Sequence, residues 1–246
     1  MSFPQTRAPR LRGARALFTA RDGTSGMGGN LALHVPLDAG QSVAVQTARS
    51  ALAAELGAPV RFVQQVHSAD VLVVDGPAPS HGPSQVADAM VTDRRDVALA
   101  VMVADCLPVL LVDPEAGVVA AAHAGRRGLL DGVLQNTVRA MADLGAVPER
   151  VCAAVGPSAC GSCYEVPEAM RTESGRIIPE VEGTTSWGTP ALDLRAGARA
   201  VLCGEGLAPH RIDDEYPCTI EDPRFFSYRR ERDTGRFAGV IRCDTP

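Results

Sequence analysis

The chain has 246 residues, 46% of them apolar and 22% charged, enough to bury a sizeable core in one large domain or two small ones. A net charge of −5 and an aromatic content of 4% argue against nucleic acid as a partner, since they provide neither a basic face nor a stacking platform. No apolar window reaches membrane-spanning length, and the Arg-rich start MSFPQTRAPRLRGARALFTA lacks a continuous hydrophobic stretch, so a cytoplasmic protein with no membrane partner is expected.

Residues 1–13 read as a loose arm and 14–246 as a single domain. A first strand is predicted at 16–19, followed by a glycine-rich loop from Arg21 to Asn30 whose backbone can approach a ligand closely. The loop lacks the GxxxxGK[ST] pattern of a Walker A motif. A strand is predicted at 31–35, an amphipathic helix at 41–56, and strands at 60–66 and 71–74, the former delivering His67. A Pro/Gly loop occupies 76–83.

The central stretch, 97–141, organises the rest. Its runs 97–104, 108–112 and 118–122 are short, β-branched and apolar, the pattern of strands buried on both faces. Cys106 and His123 stand at the ends of two of them, held by the sheet yet free to face a cleft. A helix is predicted at 129–144, a strand at 151–155, helices at 167–175 and 192–203, a polar loop at 184–189 and a last strand at 237–241. This alternation, without repeats, predicts one α/β domain with a mixed sheet covered by helices.

His67, Cys106 and His123 form a possible zinc set in which three protein ligands leave a fourth tetrahedral position for water or substrate. The main competitor is a Cys-His hydrolase with Cys106 as nucleophile and His123 as base. On spacing alone, a bland reading outweighs both: Cys106 as a small core residue, and histidines that merely end strands. Seven cysteines, an odd number thinly spread, read as reduced thiols. Cys160-x-x-Cys163 has the look of a redox or zinc half-motif, but no second CxxC exists and no helix opens on it, so incidental placement is favoured. Cys218 and Cys243 have no motif of their own. Arg21, Arg126, Arg127, Arg229 and Arg230 flank predicted turns, where a guanidinium can bind an oxyanion or simply be solvated.

The blocks Gln65-Val66-His67, Ala87-Asp88-Ala89-Met90-Val91-Thr92, Ala104-Asp105-Cys106-Leu107-Pro108 and His123-Ala124-Gly125 occur in that order. Gly156-Pro157, Tyr164-Glu165-Val166, Cys218-Thr219 and Phe226-Ser227-Tyr228-Arg229-Arg230 follow. Together they resemble the YfiH family, whose members also carry laccase-domain and multicopper polyphenol oxidase labels. The likeness runs from Phe18-Thr19 to Arg236. It implies a layered α-β-β-α sandwich, shared with Cys-His deamidases of the cytotoxic necrotizing factor type. It also implies an enzyme that cleaves adenosine, inosine, guanosine and methylthioadenosine with phosphate, deaminates adenosine, and holds zinc at His67, Cys106 and His123. Copper-dependent phenol oxidation and peptidoglycan editing are the other labels. A multicopper array needs more histidines than the five present, of which His34, His81 and His210 lie outside the blocks. Within this resemblance Asp105 is the candidate for proton transfer and Arg127 or Arg229 for phosphate, while Arg21, Asn30, Gln65 and Tyr164 are candidate substrate contacts. The family's His-Ala-Gly-Trp-Arg-Gly departs here to Arg126 at the Trp position, with Arg127 and Gly128 retained.

Overall fold

Alternation along the apolar strands decides the layering, because successive side chains of a strand point to opposite faces. The computed structural model describes residues 5–8, 10–21, 28–35, 38–76 and 85–244. Within these, the strands are β1 (Gln5–Arg7), β2 (Ala14–Thr19), β3 (Val60–Arg61), β4 (Val71–Val73), β5 (Ala89–Thr92), β6 (Ala98–Val103) and β7 (Leu107–Asp113). They continue with β8 (Val118–Ala124), β9 (Cys152–Val155), β10 (Glu182–Thr184), β11 (Pro190–Leu192), β12 (Ile212–Asp213) and β13 (Phe237–Cys243). The helices are α1 (Ala39–Leu56), α2 (Arg126–Leu130), α3 (Val133–Asp143), α4 (Glu168–Gly175) and α5 (Leu194–Gly204).

Two mixed sheets result, a five-stranded one in the order β1-β2-β13-β6-β3 and a six-stranded one in the order β12-β9-β7-β8-β5-β4. Leu99 and Val101 of β6 meet Leu110 and Val112 of β7 and Val119 and Ala121 of β8 between the sheets. Ala98, Ala100 and Met102 point the other way, onto Leu52 and Leu56 of α1. Leu107, Val109 and Leu111 pack on Leu134, Val138 and Met141 of α3 and on Ala198 and Leu202 of α5. The layers are therefore α-β-β-α in one α/β domain, as expected. Asp113, fully buried at the end of β7, accepts from Val147 N and from the Arg150 guanidinium at 2.8 Å each and from Glu115 N at 3.0 Å, tying the β9 approach to the sheet.

Several boundaries depart from expectation. The loose arm is ordered over its described part: β1 pairs antiparallel with β2, and Ala8 and Leu11 enter the inter-sheet core. Residues 31–35 are not a strand, because the buried Asn30 amide brackets Ala32 with two hydrogen bonds and closes the chain on itself. The strand expected at 60–66 keeps only Val60–Arg61. The helix expected from 129 is two helices, broken where Gly132 adopts φ +96°, a conformation that favours glycine. The loop expected at 184–189 is mostly the turn of the β10–β11 hairpin, and α5 starts only at Leu194, where Asp193 caps its first N–H groups. Positions 22–27 of the glycine-rich loop and 77–83 of the Pro/Gly loop, with His81, lie outside the described residues.

Candidate metal centre and cleft

Three separate devices deliver the three ligands. His67 follows the loop after β3 and has φ +63°, rare for a side chain with a Cβ. Asp88, fully buried just before β5, sustains that conformation by accepting from Val66 N at 3.1 Å, His67 N at 3.0 Å and Ser68 N at 2.7 Å. Cys106 occupies the β6–β7 turn behind Asp105, itself at φ +86°. The Asp105 carboxylate accepts from Thr219 Oγ1 and from Arg229 N, each at 2.7 Å, and its carbonyl accepts from Ala159 N at 3.0 Å. His123 lies on β8 opposite Pro108, and alternation turns it away from Ala122 and Ala124, which face the helices.

The three side chains converge. His67 Nε2 is 3.7 Å from Cys106 Sγ, the imidazoles stand edge to face with centroids 4.7 Å apart, and one donor atom from each residue lies within 4.8 Å of the others. His123 Nδ1 is 2.7 Å from Asp88 Oδ1, so Nε2 is the nitrogen left for a ligand, and the carboxylate fixes the ring's orientation. Gly125, at the N-terminus of α2, makes this approach possible, since a Cβ there would sit 2.6 Å from His67 Cδ2 and 3.1 Å from Cys106 Sγ.

Charge follows the same pairing. Desolvation alone would raise the Asp88 carboxyl, but the hydrogen bonds from His123, Ser68 and Val66 hold it below the ordinary carboxylate range. Burial likewise disfavours charge on His123 and on the Cys106 sulfur, yet each supports the other: the thiol is driven down by the imidazoles, and His123 up by the thiolate and Asp88. An ion would displace the proton that His123 shares with the thiolate, and two imidazole nitrogens and one thiolate backed by a carboxylate then suit zinc with one open position.

The centre forms one end of a cleft of about 800 Å³. Phe62, Met102 and Tyr228 supply apolar wall, and His34, Arg49 and Arg236 line the same cleft. The Arg49 guanidinium lies over the Phe62 ring, 4.0 Å from its centroid. Arg236 donates to the carbonyls of Thr234 and Gly235. Burial, then the charges of Arg236 and Arg49, hold His34 toward its neutral form, a sign that this wall is electropositive.

Of the expected site residues, His67, Cys106, His123 and Gln65 line the cleft. The Gln65 amide exchanges two 2.8 Å hydrogen bonds with the backbone of Met102, so it fastens the wall. Asn30 is buried, and its amide is engaged by Ala32 and by Arg236 N. Arg21 is paired with Glu231 at 3.2 Å and lies 5.0 Å from the Phe226 ring centroid, outside the cleft wall. Arg229 stacks on Tyr164 at 4.4 Å and donates to Glu165 O, and neither of that pair lines the cleft. Arg127 is exposed on α2, and Arg126, half-buried, acts electrostatically on Tyr164; neither lines the cleft. Residues missed as site components include Asp88, Arg49, His34, Phe62, Met102, Tyr228 and Arg236. Asp88 and Tyr228 had a signal, their places in the 87–92 and 226–230 blocks.

The sequence from residue 15 to 244 matches the family model described as multi-copper polyphenol oxidoreductase laccase. The chain belongs to this family. YfiH from Bacillus licheniformis, a solved structure, superimposes on the chain with a TM-score of 0.87 at 27% identity, covering 98% of this chain and 97% of that one. A relative from Streptomyces coelicolor, named purine nucleoside phosphorylase, is 52% identical over 82% of this chain and 83% of its own length. Another member, from an unknown prokaryotic organism and named adenosine deaminase, is 34% identical over 96% of each. No described helix of this YfiH-family chain is long and apolar enough to cross a membrane.

Proposed function

We propose that the chain is a zinc-dependent purine nucleoside phosphorylase that cleaves adenosine, inosine, guanosine and methylthioadenosine with phosphate, and that it also deaminates adenosine. The observation that carries this reading is the convergence of His67, Cys106 and His123, backed by Asp88, at the end of a cleft containing two arginines. The names borne by its relatives support the substrate class. Held by His67, Cys106 and His123, zinc would supply a Lewis acid.

The chain's own groups divide the remaining work. Phosphate is the nucleophile: one of its oxygens bonds to ribose C1′ while the glycosidic bond breaks, and the purine leaves with the proton that monohydrogen phosphate gives up. Arg236 and Arg49 hold that phosphate, in place of Arg127 or Arg229, because they line the cleft. Phe62, Met102 and Tyr228 give the purine an apolar bed that excludes water. Asp88 keeps His123 in one tautomer. Asp105 is reassigned from proton transfer to positioning, since both carboxylate oxygens are engaged by Thr219 and Arg229.

A Cys-His hydrolase has one observation in its favour. Cys106, His123 and Asp88 follow the order nucleophile, base, orienting carboxylate. Inosine and adenosine turnover, assayed with phosphate before and after chelation, separates the two readings. The phosphorylase yields purine base and ribose 1-phosphate and stops when zinc is stripped. Turnover that survives chelation and stops only on thiol alkylation belongs to the hydrolase. Metal analysis of the same preparation decides between zinc and copper.

A further inference from the structure

A second set of sulfur ligands lies outside the cleft wall. Cys160 and Cys163 sit in the loop after β9, and Cys218 comes from the segment after β12. A parallel bridge pairs Ser158 with Cys218, Thr219 N donates to Ser158 O at 3.0 Å, and Cys160 N points to Cys218 Sγ at 3.4 Å. All three cysteines are free, and with Glu221 they bring four donor atoms within 4.8 Å of one another. The fold brings to the CxxC pair a third cysteine that lies 55 residues beyond Cys163 in the sequence.

We propose that Cys160, Cys163, Cys218 and Glu221 form a structural zinc site, separate from the His67–Cys106–His123 centre. Four protein donors close a tetrahedron and leave no open position, the arrangement of a structural site, and two of them have the Cys-x₂-Cys spacing such sites use. Zn–S bonds of about 2.3 Å put ligand atoms roughly 3.8 Å apart, so the cluster needs a contraction of at most about 1 Å. Three thiolates select a soft or borderline metal over magnesium or calcium.

Arg195 bridges the two segments that carry the cysteines. Its guanidinium donates to Ser158 Oγ, Ser158 O and Pro217 O at 2.7 Å and to Tyr216 O, all neutral oxygens. A largely buried guanidinium with no carboxylate among these partners is costly. Cys218 and Cys160, and then Asp193 and Asp214, act on it electrostatically. On binding, zinc displaces three thiol protons into solvent, with no oxidation or reduction. Three thiolates and one carboxylate around a dication carry a net double negative charge, next in sequence to the Ser158 and Pro217 oxygens that Arg195 holds. The ion fastens the 158–163 loop to the 218–221 segment, and both hold Asp105 through Ala159 N and Thr219 Oγ1.

The test uses the full chain with Cys106→Ala and His123→Ala, which remove the cleft centre. Its zinc is counted after dialysis, and Co²⁺ is then substituted. The expected result is about one zinc per chain, with near-ultraviolet thiolate-to-cobalt charge transfer and a tetrahedral visible spectrum. Adding Glu221→Gln, an exposed change, should weaken zinc retention roughly tenfold and leave the fold intact. A folded chain that retains no zinc overturns the proposal. So does a disulfide, mapped by peptide mass, that joins any two of Cys160, Cys163 and Cys218 in the chain as purified under reducing conditions.

Discussion

Gly125→Ala isolates the geometry of the centre from its chemistry. The backbone at this position, φ −72° and ψ 169°, suits alanine, so no conformational penalty confuses the result. The new Cβ would stand 2.6 Å from His67 Cδ2, 3.2 Å from His67 Nε2 and 3.1 Å from Cys106 Sγ. Carbon contacts settle at about 3.5–4.0 Å, so the His67 ring must retreat by roughly 1 Å. Metal–ligand distances tolerate only about ±0.2 Å, and the ring cannot move that far and remain a ligand. His67 is exposed and can swing outward, which puts the folding cost near the low end of the roughly 1–3 kcal/mol for overpacking. Zinc affinity should fall roughly 10–100-fold, with turnover falling alongside. Competition against a chromophoric chelator, with a thermal melt and a turnover assay, reads all three quantities. Gly204→Ala is the control, since nothing lies within 4 Å of its Cβ. Wild-type zinc affinity in folded Gly125→Ala would refute the reasoning.

Three further outcomes follow from named contacts. Asp88→Asn removes the charge that orients His123 and anchors residues 66–68; zinc affinity should drop roughly 10–100-fold, measured by the same competition, together with the melting temperature. Arg236→Met should raise the KM for phosphate roughly 10–100-fold, the loss of about 1.5–3 kcal/mol of charged hydrogen bonding, while adenosine deamination, which uses no phosphate, changes little. Asp113→Asn should cost about 2–3 kcal/mol at pH 7, measured by urea denaturation. Burial opposes the charge on Asp113, but Arg150 and three backbone N–H groups hold its carboxyl below the ordinary range. Its contribution is therefore present above the unfolded pKa of about 3.9 and is lost as pH falls through the lowered native value, so the gap between wild type and variant should close in acid.

The legible parts were those written locally. Strands β6, β7 and β8 announce themselves because both faces are buried, so all positions but Asp113 and His123 are apolar, and that run leads to Cys106 and His123. Residues 31–35 mislead for a related reason: Leu-Ala-Leu-His-Val has strand-like composition, but the Asn30 side chain supplies the hydrogen bonds that a neighbouring strand would have offered. Arg49 gave no sign of function, since it belongs to an outer helix and only the packing of α1 on the five-stranded sheet brings it onto Phe62. Cys218 was silent until the pairing with Ser158 carried it to Cys160. Tyr164 and Arg229 were noticed for their motif; their side chains stack on each other, and the Arg229 N–H donates to the Asp105 carboxylate.

The central claim is that one ion held by His67, Cys106 and His123 supports nucleoside cleavage in the adjoining cleft. Zinc content and inosine phosphorolysis, measured side by side on wild type and Cys106→Ser, test it most directly. The account predicts hypoxanthine and ribose 1-phosphate from the wild type, and in folded Cys106→Ser the loss of the cleft zinc with turnover down at least roughly hundredfold. Undiminished turnover in that variant, or a zinc-replete wild type that makes neither product, would contradict it.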